Sequence, residues 1–93
     1  MAEKVLLQVV PTARRQLEQL PLPIQSRVRQ AVRALSANPR PPGAKLLSED
    51  RRLWRIRVGV YRILYEVRDT QLVVLVIRVG HRREVYRGRR PRS

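Results

Sequence analysis

The 93-residue chain has no cysteine, one histidine and only seven carboxylates. Without cysteine there are no disulfides and no thiolate metal ligands, and with a single histidine as well no zinc site can be assembled. The carboxylates show no metal-ligand spacing beyond the adjacent Glu49-Asp50 pair. Neither a glycine-rich phosphate loop nor a serine-nucleophile motif occurs. Long apolar runs are also missing: residues 5–10, interrupted by Gln8, are too short for a signal-peptide core or a membrane span. The expectation is one soluble, cytoplasmic domain spanning residues 1–93, with no cofactor, no metal and no membrane partner.

Positive charge is what the chain has in excess. Twenty-one Lys+Arg against seven Asp+Glu leave a net charge of +14. Only Lys4 and Lys45 are lysines; the remaining bases are arginines, whose planar forks suit bidentate phosphate contacts and base stacking. Such a chain attracts polyanions at long range, so a nucleic-acid partner is expected, with an acidic protein or an anionic membrane surface as competing partners.

Residues 4–10 read as a Val/Leu strand closed by Pro11. Thr12 is the expected N-cap of a helix carrying Ala13, Leu17 and Leu20. Pro21 and Pro23 end it and start a second helix, whose Ile24, Val28, Ala31, Val32 and Leu35 form one apolar stripe before the Asn38-Pro39 stop. Residues 39–43 form a linker, after which the apolar period becomes two. Trp54, Ile56 and Val58 oppose Arg55 and Arg57; Tyr61, Ile63, Tyr65 and Val67 oppose Arg62, Leu64 and Glu66. Gly59-Val60 suits a type II′ turn. Pairing outward from it sets Val58 against Tyr61, Arg57 against Arg62, Ile56 against Ile63, Arg55 against Leu64 and Trp54 against Tyr65. After a turn at residues 69–71, residues 72–79 form a nearly continuous apolar strand suited to a central, doubly covered position. The predicted fold is α+β, β-α-α-β-β-β, an antiparallel-rich sheet with an N-terminal helical hairpin packed on one face. Six of the thirteen residues from His81 onward are arginine, and residues 88–93 are expected to form a flexible basic tail.

The register sets Arg57 against Arg62, where like charges repel; a purely structural sheet has little reason for that. Arg55, Arg57 and Arg62 are therefore a candidate anion patch, and His81, Arg82 and Tyr86 are expected at the same sheet edge. Cutting RNA without a metal needs a base for the 2′-hydroxyl proton, cations on the phosphorane and an acid for the leaving 5′-oxygen. Arginines supply the second requirement. His81, and Tyr86 if nearby cations lower its pKa, are both candidates for the others. Trp54, Tyr61 and Tyr65 read as core rather than as a stacking platform. Arg83 and Arg87 are expected to bind RNA less specifically.

The segments LWRIRVGVYRILYEV (residues 53–67) and VIRVGHRREVY (residues 76–86), in this order of elements, resemble the RelE branch of the RelE/ParE toxin superfamily. The resemblance implies a RelE-like fold and the toxin of a type II toxin–antitoxin module. It also implies cleavage of mRNA in the ribosomal A site (hence contact with rRNA) and a cognate antitoxin, expected to be acidic in its toxin-binding segment. By position it assigns catalytic roles to Arg55, Arg57, Arg62, Arg82 and Tyr86. Familiar members carry lysines where this chain has Arg55 and Arg57, and arginine cannot act as a base, so the identity of the base stays open. Two alternatives remain: a ParE-like inhibitor of DNA gyrase with the same fold, and a non-catalytic RNA-binding module.

Overall fold

The structure, a computed structural model, describes residues 6–81. The expected strand start at residues 4–5, the tail, and Arg82, Arg83, Tyr86 and Arg87 lie outside the described residues.

Strand β1 (Leu6–Val9) leads into helices α1 (Pro11–Glu18) and α2 (Leu22–Ala34), followed by strands β2 (Lys45–Ser48), β3 (Leu53–Val58), β4 (Tyr61–Arg68) and β5 (Val73–His81). One five-stranded sheet results, in the order β1-β5-β4-β3-β2. β1 runs parallel to β5 and the other neighbours are antiparallel. The α+β fold with a helical hairpin on one face is present, and β2 is an additional edge strand. Pro11 rather than Thr12 opens α1, with Val10 at the N-cap and no side-chain cap bond. Its ring fixes φ in the helical range, and the N–H it lacks would have had no helical partner. Pro23 sits in the first turn of α2.

Ala13 and Leu17 of α1 and Val28 and Val32 of α2, with Leu35, pack on Ile56, Ile63, Tyr65, Val67, Val74, Val76 and Val79 in one core. The apolar face of each strand is thus buried by the hairpin, as period-two alternation requires. β5 is an interior strand, between β1 and the central β4, but only one of its faces is covered by the helices: Val74, Val76 and Val79 are buried while Val73, Leu75 and Ile77 are half-buried. Trp54 packs at the margin of the core and Tyr65 is fully buried. The Tyr65 hydroxyl donates to the Pro39 carbonyl at 2.7 Å. Arg40 bonds Asp69 at 2.7 Å and stands 5.4 Å from the Trp54 ring centroid. These contacts tie the proline-rich linker to the sheet.

The β3–β4 register is Val58↔Tyr61, Arg57↔Arg62, Ile56↔Ile63, Arg55↔Leu64 and Trp54↔Tyr65, as the turn predicts. Gly59 has φ +61° while Val60 is not among the positive-φ residues, the combination a type II′ turn needs.

Candidate nucleic-acid interface

Arg55, Arg57 and Arg62 project from the sheet face opposite the helices. The Arg57–Arg62 pair is a direct cross-strand neighbour, and Arg55 lies two residues along the same face. β2 adds Lys45 opposite Arg55, and β5 sets Arg78 opposite Leu64. Lys45 was not foreseen because four residues, three of them exposed, carry too little alternation to signal a strand.

Arg57 is exposed and Arg62 half-buried. Arg55 differs: only 6% of it is accessible, and its Nε and Nη1 meet no hydrogen-bond partner among the described residues. A permanently charged group buried without partners costs on the order of 1–3 kcal/mol or more. Glu66, on the same face, stands opposite Leu53 and is held by Arg68 at 2.9 Å. For Arg55, an anion with several acceptor oxygens is the ligand that would satisfy the buried guanidinium.

His81 does not join these arginines. It pairs with Tyr61, while Gly80 pairs with Arg62, so His81 and the arginine pair point to opposite faces. The physical cause is a bulge. Tyr65 pairs with Val76 but Leu64 pairs with Arg78, leaving Ile77 as an extra residue that reverses the parity of everything after it. The His81 ring meets the Tyr61 ring edge to face, with centroids 6.0 Å apart and planes at 79°. Tyr61, expected in the core, instead lines an open cavity with His81 at the junction of α1 and β5.

Among the described residues no three His, Cys, Asp or Glu side chains gather as a metal site would require, and no helix is long and apolar enough to cross a membrane.

Residues 7–86 match the family of ParE toxins of the type II toxin–antitoxin system parDE. The chain belongs to the RelE/ParE toxin superfamily. Within it, toxin RelG of Mycobacterium tuberculosis is 39% identical over 77 residues, covering 82% of this chain and 88% of the relative. A chain of the M. tuberculosis RelBE2 toxin–antitoxin complex is 32% identical with a TM-score of 0.72, covering 84% of this chain and 98% of that one. A chain of the archaeal RelE–RelB complex from Pyrococcus horikoshii reaches a TM-score of 0.77 at 21% identity, covering 85% and 96%, a likeness of fold alone. The bulged β5 and the charged sheet face thus belong to a RelE-like toxin of a type II module.

Proposed function

We propose that this toxin is a metal-independent endoribonuclease that cuts mRNA in the ribosomal A site. The observation that carries the reading is the Arg57–Arg62 cross-strand pair beside the buried, unsatisfied Arg55. Three fixed cations on one face suit a phosphodiester whose charge grows as it becomes pentacoordinate. In the proposed step the 2′-hydroxyl loses its proton to a base and O2′ attacks the adjacent phosphorus. The P–O5′ bond then breaks and O5′ takes a proton, leaving a cyclic phosphate and a 5′-hydroxyl.

Arg55, Arg57 and Arg62 hold the phosphate oxygens, with Arg82 as a further cation. Arginine does not act as a base, and His81 faces away from the patch, so the proton-transfer role is assigned to Tyr86. Arg83 and Arg87 add unspecific attraction to RNA. The partners are the message, the rRNA around the A site and a cognate antitoxin, and the compartment is the cytoplasm where ribosomes work. The RelBE2 and archaeal relatives are described as toxin–antitoxin complexes. An acidic antitoxin segment that folds on binding would satisfy the same arginines that grip RNA.

The match to the parDE toxin family favours a second reading, inhibition of DNA gyrase. Both are tested by incubating the protein with ribosomes programmed with a defined message and, in parallel, with gyrase in a supercoiling assay. Message cut at the A site with cyclic-phosphate ends is expected; gyrase inhibition with an intact message would overturn the nuclease reading in favour of the second.

A further inference from the structure

On the sheet face opposite the helices, the charged residues fall into rows that run across the strands. Pairing sets Lys45 beside Arg55, Arg55 beside Leu64 and Leu64 beside Arg78, and register partners share a face. One row therefore crosses β2, β3, β4 and β5 in the order Lys45, Arg55, Leu64, Arg78. The next row toward the β3–β4 turn is Arg57, Arg62 and Gly80. The row on the other side holds Leu53 and Glu66. Positive charge thus gives way to a carboxylate along the strands but continues across them. Lys45 is exposed and Arg78 half-buried, and the Arg40–Asp69 and Glu66–Arg68 pairs engage neither. Both stand at borders of the sheet: β2 is an edge strand, and β1 pairs with β5 only as far as Val76, short of Arg78.

We infer that Lys45 and Arg78 bind the phosphates on either side of the scissile one, so that a single strand of RNA crosses the sheet perpendicular to its strands. The inference rests on the RNA-cleavage reading and extends it to the path of the message. Three strand spacings separate Lys45 from Arg78, about 14 Å, a width that accommodates the two phosphates flanking a central one. The central phosphate lies between them, at Arg55, Arg57 and Arg62. Leu64, fully buried between Arg55 and Arg78, offers no donor, so the outer contacts fall to the two ends of the row. Lysine and arginine carry donors and no acceptor, as phosphate oxygens require, and contacts of this kind fix position rather than sequence. With no strand beyond either end of the row, the RNA enters at one border of the sheet and leaves at the other.

The test is the salt dependence with which the full-length protein binds a single-stranded uridine octamer whose 2′-O-methyl groups prevent cleavage. Lys45→Gln and Arg78→Gln should each lower the slope of log affinity against log salt by about 0.7, and the double variant by about 1.4. Arg27→Gln, an exposed change on α2, removes one charge without touching the row and should leave the slope unchanged. A uridine dinucleotide, with its one phosphate, should bind the wild type and both row variants alike. Slopes that fall no further in the row variants than in Arg27→Gln would overturn the inference, since net charge alone would then explain the binding. Equal losses for dinucleotide and octamer would also overturn it, because both side chains would then reach a single phosphate. Weaker binding of a glutamate-rich peptide by the row variants, with RNA slopes unchanged, would overturn it in favour of a protein ligand. Message cleavage on programmed ribosomes by the wild type, measured alongside, separates the two failures: cleavage with unaltered slopes removes the message path only, and lowered slopes without cleavage remove the nuclease reading only.

Discussion

Arg55 and Tyr65 are both buried polar residues of β3 and β4, and they show opposite solutions to burial. Tyr65 is satisfied by the Pro39 carbonyl, and its burial raises the phenol from 10.0 to about 12, with Arg40 pulling the other way. An acid whose folded pKa is raised holds its proton longer when folded, so stability is intact below pH 10 and declines between pH 10 and 12. The decline should reach on the order of 2–3 kcal/mol. In Tyr65→Phe that decline should vanish while stability at neutral pH falls by about 1 kcal/mol; denaturant unfolding across this pH range checks both. Arg55 differs: its Nε and Nη1 find no such partner among the described residues. Arg55→Met should therefore raise unfolding free energy by about 1–3 kcal/mol and weaken RNA binding. A destabilised Arg55→Met variant would show that the guanidinium is a structural element and not a site held in readiness.

At the scale of elements, the β3–β4 hairpin is set by one turn. Gly59 has φ +61° and nothing lies within 4 Å of where a Cβ would stand, so Gly59→Val is penalised by conformation rather than by collision. A loss of roughly 1–2 kcal/mol in equilibrium unfolding is expected. This hairpin was legible in the sequence because the glycine, the period-two apolar residues and the strand lengths all specify one register. The arginine patch was legible with it. β2 was not, since an exposed four-residue edge strand has no buried face to pattern. His81 was misplaced for a different reason. Strict alternation from Val74 and Val76 puts residue 81 on the arginine side, and only the extra residue at Ile77 turns it toward Tyr61. A bulge in an apolar run such as LVVLVIRV leaves no signature, because valine, leucine and isoleucine fit either face. The α1 cap escaped for a related reason: Thr12 carries the usual capping side chain, but Pro11 already sets the helical φ.

The whole molecule carries a net charge of +14, with three basic residues for every acidic one. Most of the positive charge therefore has no acidic counterpart within the chain and is left for a partner. Affinity for a single-stranded RNA should fall by about 300-fold between 50 and 200 mM salt if about six phosphates are engaged; a nearly flat salt dependence in filter binding or anisotropy would contradict recognition through the arginines. Self-repulsion of this size also disfavours the compact state, which an acidic antitoxin segment would relieve on binding. The most direct test of the central claim, that the like-charge pair on β3 and β4 is maintained for phosphodiester cleavage, is the single-turnover rate of message cutting on programmed ribosomes by Arg57→Gln. A loss of about 100-fold is expected in a protein at least as stable as the wild type, since one member of a repelling pair is gone. An unchanged rate would contradict the claim.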